Sequence, residues 1–345
     1  MQREMERLVG EGGFPGALAA FTGRDGHTRD YTAGTADLAT GAPVPANGHI
    51  RAASNTKAFT AVVVLQLVGE GTVGLDTPVD TYLPALVRGE GIDGRRITVR
   101  QLLQHTSGLP DYTDSLGGDS FARRHVYTEP RELLDLALAH RARFAPGSRW
   151  EYSNTNYIVL GLLIQKITGR PVAEVITRRV VEPIGLRHTY FPAVGDQHID
   201  GPHPKGYHAV EPGQALRDIT VMDPSWGWAA GQLITTPRDL NLFFTALLRG
   251  ELLKPRQLRQ MRTTTGTTGL WPGARYGLGL VSTPLSCGGL AWGHGGDIDG
   301  YHTRGGTTDD GRSVTLTVTA LPTALPAAKA KERHVLSLVD TALCR

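Results

Sequence analysis

The sequence predicts an α/β fold in which an antiparallel sheet flanked by helices is combined with an all-helical domain. Short β-prone runs occur near both ends of the chain, within residues 17–33 and 278–320, and strongly apolar helices occupy the middle. Helices inserted between two parts of one antiparallel sheet favour a sheet unit and a separate helical unit. We therefore expect an α/β domain of residues 1–56 and 230–345 and a mainly helical domain of residues 57–229.

Composition limits the classes of partner. The chain has 345 residues, of which 40% are apolar and 20% are charged, as in ordinary soluble proteins. The formal net charge is only +3 and no Lys/Arg stripe is present, so binding to nucleic acid is not expected. No apolar run reaches the roughly 18–20 residues that a membrane-spanning helix needs. The best candidate, Ala58 to Val68, is too short and indicates a buried helix.

The first half of the chain begins with a predicted β-hairpin. Ala17–Phe21 and Thr28–Ala33 are β-prone runs separated by a Gly-containing turn. Ser54–Gly69 is apolar on nearly all sides, which is typical of a helix in the middle of a protein. Thr98 is a candidate N-cap for a short helix, and the polar residues 113–131 are expected to form a loop.

In the second half, predicted helices come first and strands follow. The helices are 132–139, Asn156–Ile167 ended by Gly169, Pro171–Val181, one opened by Thr236 and Pro237, and Lys329–Leu343 at the end of the chain. The strands are Leu278–Ser282, Leu290–Gly293, Tyr301–Gly305 and Val314–Ala320, with the turn Asp309-Asp310-Gly311 between the last two.

Ser54-Asn55-Thr56-Lys57 opens the buried helix and carries the first candidate site. Residues three apart share one helix face, so the Lys57 amine can reach the Ser54 hydroxyl. A serine hydroxyl is a weak nucleophile until a base takes its proton, and a lysine can be that base when burial lowers its pKa. The alternative is a serine N-cap followed by a solvated lysine. The position at the start of the most buried helix favours the nucleophile.

Two further motifs follow in chain order. Tyr152-Ser153-Asn154 lies on a predicted loop, where the phenol can relay a proton to a leaving group and the amide can bind substrate or hold Lys57. His294-Gly295-Gly296 lies on a predicted strand, where glycines let a substrate backbone pair at close range. Taken singly, these motifs also fit an aromatic packing residue with an Asn helix cap, and a strand-edge bend with a surface histidine. Together, and in this order, they indicate an active site.

With these motifs, the chain resembles the serine β-lactamase and DD-peptidase superfamily, in particular its class C and secreted DD-carboxypeptidase/transpeptidase branch. The resemblance covers nearly the whole chain and implies that family's fold, with the active site between the two domains. The segments that carry it are Arg51-Ala52-Ala53-Ser54-Asn55-Thr56-Lys57, residues 97–109 (ITVRQLLQHTSGL), Tyr152-Ser153-Asn154-Thr155-Asn156-Tyr157 and Trp292-Gly293-His294-Gly295.

The resemblance also implies roles for these residues. Ser54 is the residue to be acylated, and Lys57 and Tyr152 share the proton transfers. The backbone N–H groups of Ser54 and Asp297 form the oxyanion hole, and His294, in the place of a strand lysine, is a fourth catalytic residue. The residues expected to bind substrate are Asn154, Trp226, Gly295, Gly296, Asp297 and Arg304.

The strand motif departs from the family pattern in a way that bears on the substrate. The DD-peptidase branch has His-Thr-Gly-Thr here and an arginine on the neighbouring strand, and these groups bind a free substrate carboxylate. This chain has Asp297 in the place of the last hydroxyl and Val281 in the place of the arginine. Asp297 should repel a carboxylate, unless Arg304 on the next strand neutralises it or replaces the lost arginine. The sequence leaves these two roles of Arg304 open.

A D-Ala-D-Ala carboxypeptidase-like peptidase is the first expectation on overall similarity. The alternatives are a D-aminopeptidase or amidase, an esterase and a peptide-cyclising acyltransferase, and a β-lactamase is less favoured. The expected partner is a small peptide, amide or ester, with covalent reaction with a β-lactam also open, and the protein is expected to be a monomer. No cofactor or metal is expected, because on a strand His294 and Asp297 point to opposite faces, as do Asp299 and His302.

Cys287 and Cys344 are the two cysteines of the chain. They are either free thiols or a disulfide that ties the C-terminal helix to the sheet, and the secreted branch of the family has a disulfide at these positions. Residues 1–10 show no signal peptide. We expect an exported protein whose signal segment lies outside this sequence, or a cytoplasmic protein if the sequence is complete.

Overall fold

A computed structural model describes all 345 residues, and its centre is an antiparallel sheet of ten strands. Six further strands form the two-stranded sheets β4-β9, β5-β6 and β7-β8. All strands in chain order are β1 (Gly16–Thr22), β2 (Thr28–Asp37), β3 (Ala42–Pro43), β4 (Ile50–Arg51), β5 (Arg88–Gly89), β6 (Ile92–Asp93), β7 (Tyr207–His208), β8 (Arg217–Asp218), β9 (Ile234–Thr235), β10 (Thr265–Gly266), β11 (Arg275–Tyr276), β12 (Val281–Pro284), β13 (Leu290–Gly293), β14 (Gly296–Ile298), β15 (Tyr301–Thr308) and β16 (Ser313–Val318). The sheet order is β10-β11-β12-β13-β15-β16-β1-β2-β3, and β14 also pairs with β15.

The helices surround this sheet and build a second core. They are α1 (Gln2–Gly10), α2 (Thr56–Gly69), α3 (Val99–Leu103), α4 (Ser120–Arg123), α5 (Pro130–Leu138), α6 (Thr155–Thr168), α7 (Val172–Ile176), α8 (Trp228–Gly231), α9 (Pro237–Leu248), α10 (Pro255–Met261) and α11 (Ala328–Leu343). The expected fold class, an antiparallel sheet with flanking helices and a helical part, is confirmed.

β1 joins the two ends of the chain, because it lies between β2 and β16. Ala17 faces Ala33 on one side and Val318 on the other. Side chains alternate between the faces of a strand, so Ala17 packs with the terminal helices α1 and α11, whereas Leu18 packs with Tyr301 on the opposite face. The sheet is therefore covered on both sides.

The largest core lies around α2 and α6 and contains 49 buried residues. Phe59 of α2 stacks on Phe243 of α9 with ring centroids 3.8 Å apart. Gly161 of α6 lets α8 approach closely, since a Cβ there would lie 2.5 Å from the Trp228 ring. This packing fixes the start of α2, which carries Lys57, and the turn before it, which carries Ser54, against α6 and α8.

Several local predictions need correction. The strand predicted at Leu278–Ser282 is Val281–Pro284, because Gly279 adopts a left-handed backbone (φ 76°) that interrupts an extended chain. The helix predicted at Pro171–Val181 is α-helical only to Ile176 and continues as a π-turn. Residues 113–131 contain short helical turns, and α5 already begins at Pro130.

Other elements match their sequence signals. Thr98 caps α3 through a capping box with Gln101, Gly169 ends α6 in a left-handed conformation, and Thr236 caps α9. None of the helices combines the length and the apolar composition that crossing a bilayer requires. The division of the chain into two domains stays a prediction.

Cys287 and Cys344 form the disulfide that the family resemblance implied. It ties the end of α11 to the turn between β12 and β13. The export of the protein, which a disulfide would suit, stays a prediction.

Replacing both cysteines by serine is expected to lower the free energy of unfolding by up to about 4 kcal/mol, because the bond closes a loop of 57 residues and restricts the unfolded chain. Chemical denaturation of the oxidised protein and the double variant measures this difference. Reduced wild-type protein is the control and should behave like the variant. Equal unfolding midpoints for all three samples would contradict the prediction.

Candidate active site

Ser54 lies in a 3-10 turn, Ala53–Asn55, that leads directly into α2. Ala53 has a positive φ of 47°, which a residue with a Cβ rarely adopts and which often marks a functional turn. Lys57 is one turn further along, and its Nζ lies 2.9 Å from Ser54 Oγ. The contact predicted from the three-residue spacing is therefore present.

The Lys57 amine is fully buried and has two partners besides Ser54. Its Nζ lies 2.7 Å from Asn154 Oδ1 and 2.8 Å from the Ala230 carbonyl oxygen. Both partners only accept hydrogen bonds, so the two protons of a neutral amine are directed at them. The remaining lone pair faces the Ser54 hydroxyl, which is the orientation that a base requires.

Burial lowers the pKa of Lys57 to about 7, while the charges of Asp111 and Asp297 oppose this shift. No carboxylate contacts the amine directly. Lys57 is therefore neutral in a substantial fraction of molecules near pH 7, which an exposed lysine is not.

Asp111 fixes the orientation of Asn154. Its Oδ2 accepts hydrogen bonds from the Asn154 side-chain amide at 2.8 Å and from the Asn154 backbone N–H at 3.0 Å. The amide oxygen of Asn154 must then point to Lys57. Of the two functions that the sequence allowed for this residue, the structure contains the contact with Lys57.

The Tyr152 ring lies over the lysine and against a buried histidine. Lys57 Nζ is 4.9 Å from the centroid of the Tyr152 ring. The His105 ring stacks on the same tyrosine ring, with the two centroids 4.2 Å apart. Burial raises the pKa of the Tyr152 phenol well above its usual value, although a hydrogen bond with Ser54 opposes this. The phenol therefore keeps its proton near neutral pH and can donate it.

His294 lies at a break in the predicted strand, since β13 ends at Gly293 and β14 begins at Gly296. Its Nε2 lies 2.9 Å from the Tyr276 hydroxyl and its Nδ1 lies 2.6 Å from the Gly295 carbonyl. Burial lowers the pKa of His294 to about 3, and Lys57 adds to this effect. The ring is neutral, and both of its nitrogens are already engaged.

Gly295 and Gly296 are needed for close packing. A Cβ on Gly296 would lie 2.4 Å from the Ala52 carbonyl, and one on Gly295 would lie 2.9 Å from the Arg304 guanidinium. β14 therefore lies directly against the turn that carries Ser54. The oxyanion hole from the N–H groups of Ser54 and Asp297 stays a prediction.

Arg304 is engaged with Asp297, which resolves the choice that the sequence left open. Its two terminal nitrogens lie 2.9 and 3.0 Å from the two carboxylate oxygens, and His302 Nδ1 lies 2.5 Å from the first of them. Glu332 of α11 binds Arg304 Nε at 2.9 Å. Partial desolvation of the half-exposed carboxylate would raise the pKa of Asp297, but Arg304 and His302 hold it well below its usual range. We call Asp297, His302, Arg304 and Glu332 the acidic cluster.

Val281 and Trp226 complete the set of predicted positions. Val281 is buried against Trp150 and Tyr276 and presents no charge. Trp226 is half-buried; its carbonyl accepts a hydrogen bond from Tyr112 at 2.5 Å, and Arg123 lies 5.4 Å from its ring. The binding of substrate by Trp226 stays a prediction.

Sequence reasoning missed Asp111, His105 and Tyr276 as members of the site. His105 is part of the quoted family segment, and Asp111 follows that segment by two residues, so proximity to the motif was the available signal. Tyr276 lies on the two-residue strand β11 and carries no local signal.

Comparison with known proteins agrees with this geometry. The family model described as Beta-lactamase matches residues 1–339. A D-stereospecific amidohydrolase from Streptomyces sp. is 36% identical, with 97% of each chain covered and a TM-score of 0.88. A D-amino acid amidase from Ochrobactrum anthropi SV3, solved with L-phenylalanine amide, is 26% identical, with 99% of this chain and 97% of the other covered and a TM-score of 0.83.

A curated relative shows the same similarity. Penicillin-binding protein 4* of Bacillus subtilis is 27% identical over 321 residues, which cover 88% of this chain and 67% of the relative. Because the family model extends over almost the whole sequence and Ser54 and Lys57 are in contact, the chain belongs to the beta-lactamase family of serine hydrolases.

Proposed function

We propose that the protein hydrolyses amides of D-amino acids that carry a free α-amino group, by way of an acyl-enzyme on Ser54. The observation that carries this proposal is the half-exposed carboxylate of Asp297 on β14, beside the turn of Ser54. The similarity to the D-stereospecific amidohydrolase and the D-amino acid amidase supports it.

The acidic cluster brings two carboxylates together with one guanidinium and one imidazole. Asp297 and Glu332 share the guanidinium of Arg304, and they also face the two ring nitrogens of His302, with Nδ1 2.5 Å from Asp297 and Nε2 2.9 Å from Glu332. The side chain of Asp297 is 52% exposed and that of Arg304 only 9%. Trp271 lies over the guanidinium, 5.2 Å from its centre. A ligand therefore meets a carboxylate, which attracts an ammonium group.

The same features disfavour a D-Ala-D-Ala carboxypeptidase, which was the first expectation from sequence. That activity needs a cation for the free carboxylate of the substrate, but Val281 is apolar and Arg304 is already paired. Repulsion between Asp297 and a substrate carboxylate in a partly wet cleft costs on the order of 1–3 kcal/mol. We therefore prefer the amidase alternative.

In the proposed mechanism, neutral Lys57 takes the proton of Ser54 as Oγ attacks the amide carbonyl. The N–H groups of Ser54 and Asp297 stabilise the oxyanion. Tyr152 gives its proton to the leaving nitrogen and regains one from the protonated Lys57. Water then attacks the acyl-enzyme and loses one proton to neutral Lys57 by way of Tyr152. When the tetrahedral intermediate collapses, Ser54 Oγ leaves and takes this proton back from Lys57, and the D-amino acid is released.

Ser54→Ala is expected to lower kcat for D-phenylalanine amide by at least about three decades, since no other hydroxyl contacts the buried amine. Intact mass spectrometry should detect an acyl adduct on the wild-type protein and none on the variant. Ser115→Ala, which removes a hydroxyl bonded to His140, is the control and should keep its activity. A panel of L-amides, D-Ala-D-Ala peptides, nitrophenyl esters and β-lactams tests the alternatives, and labelling by one of these but not by D-amides would overturn the proposal.

The pH dependence follows from Lys57. Because the base must be neutral and its pKa is about 7, kcat/KM should rise with pH around pH 7. For N-acetyl-D-phenylalanine amide it should then stay level, whereas for D-phenylalanine amide it should fall again as the α-ammonium group loses its proton near a pKa of about 8. Asp111→Asn removes a negative charge that raises the pKa of Lys57, so the profile of this variant should move to lower pH. Asp114→Asn on the same loop is the matched control and should leave the midpoint in place. A profile that falls with pH across this range would exclude Lys57 as the base.

Asp297→Asn should lower kcat/KM for D-phenylalanine amide about tenfold or more, because it removes the partner of the ammonium group. N-acetyl-D-phenylalanine amide lacks this charge and should be affected much less. Asp299→Asn is the matched control, since it removes an equal charge two residues further along the chain that pairs with His208 and not with Arg304. Equal losses for the free and the acetylated substrate would show that Asp297 does not select the ammonium group.

A further inference from the structure

Behind Tyr152 lies a buried chain of hydrogen bonds that the mechanism above does not use. His105 Nε2 lies 3.2 Å from the Tyr276 hydroxyl, which lies 2.9 Å from His294 Nε2. At the end of the chain, His294 Nδ1 lies 2.6 Å from the Gly295 carbonyl. His105 and Tyr276 are fully buried and His294 is 5% exposed, so bulk water offers them no other partners.

The proton positions follow from the first member of this chain. His105 Nδ1 lies 3.2 Å from the backbone N–H of Ser153 and 3.0 Å from the side-chain nitrogen of Asn156, and both of these groups donate. Asn156 is held in this orientation because its Oδ1 accepts from Ser107 at 2.5 Å. Nδ1 of His105 is therefore unprotonated, and the neutral ring carries its proton on Nε2.

Each later link takes its direction from the one before. The Tyr276 oxygen accepts from His105, so its own proton is donated to His294 Nε2. The proton of His294 then lies on Nδ1 and is donated to the Gly295 carbonyl. A second proton on His294 would leave the Tyr276 proton without its acceptor, so the chain requires a neutral ring.

The chain joins groups on two sides of Ser54. The His105 ring stacks on the Tyr152 ring, and its Nδ1 accepts a hydrogen bond from the backbone N–H of Ser153. At the other end, the Gly295 carbonyl belongs to the peptide that leads into β14. We propose that His105 and Tyr276 are positioning residues. Together with His294, they keep the Tyr152 phenol and β14 at fixed positions on two sides of Ser54.

His294 thus holds a peptide and does not transfer a proton, in contrast to the catalytic role suggested by the sequence. The charged groups that act on it are Lys57, Arg304 and Asp297, and Lys57 also acts on His105. Burial and the Lys57 charge lower the pKa of both rings, which agrees with their neutral state. The inference rests on Ser54 as the nucleophile and is independent of the substrate.

Long-range proton–nitrogen NMR of the histidine rings tests the proton positions without any substrate. Signals assigned by their loss in His105→Gln and His294→Gln should show Nε2–H for His105 and Nδ1–H for His294. The nitrogen shifts of both rings should stay unchanged from about pH 5 to about pH 8, the range in which an ordinary histidine titrates. The opposite tautomer, or a charged ring in this range, would overturn the inference.

Kinetics of Tyr276→Phe test the positioning role. This variant keeps the ring but removes the central hydroxyl, and kcat should fall about tenfold or more while KM changes less than about twofold, because the groups that are held act in the transition state. Trp150→Phe is the matched control, since Trp150 packs 5.9 Å from the Tyr276 ring but its Nε1 has no hydrogen-bond partner. Equal effects of the two variants would reduce Tyr276 to a packing residue.

The outcome is separable from that of the proposed function. The kinetic test uses whichever compound acylates Ser54, and the NMR measurement uses none. Failure of D-amino acid amides as substrates would therefore leave this inference standing, whereas a wrong tautomer would remove it and leave the substrate proposal intact.

Discussion

Lys57 carries an amine that is fully enclosed yet touches no carboxylate, and the arrangement of the site depends on this condition. A charged ammonium group in such surroundings loses its hydration and gains no counter-ion, so the neutral amine is favoured over the charged one. The carbonyls of Asn154 and Ala230 then take the two amine protons and turn the lone pair to Ser54. The tight packing of α2, α6 and α8 is what keeps water away from the amine. The helical core therefore has a chemical function as well as a stabilising one.

The chemistry near Ser54 could be predicted because it is encoded locally. Ser54 and Lys57 are three residues apart, and Tyr152 and Asn154 are two apart, so each pair reaches the site through one turn or loop. The chain from His105 to His294 could not be found this way, because its middle member Tyr276 is 171 residues from His105. No local pattern reports a contact between groups so far apart in sequence.

The acidic cluster is a second case in which tertiary contacts decide a question left open by sequence. Asp297 and Arg304 lie on paired strands, so their contact was a reasonable possibility. Glu332 comes from α11 and contacts both Arg304 and His302, so that the guanidinium is enclosed between two carboxylates and Asp297 is the most exposed member of the cluster. Likewise, the chain leaves β13 at Gly293 and enters β14 at Gly296, where it packs against the Ala52 carbonyl. Strand periodicity reveals neither the break nor this contact.

The position of β1 between β2 and β16 has a consequence for biosynthesis. Ala17 pairs with Val318, so one of the first strands to leave the ribosome must wait for one of the last before the sheet can close. The helical core around α2 and α6 involves shorter separations and can collapse earlier. The half-finished chain then exposes two strand edges next to a preformed helical core. Assembly of β14 beside Ser54 is consequently a late event, and the nascent protein has its nucleophile long before it has a complete site.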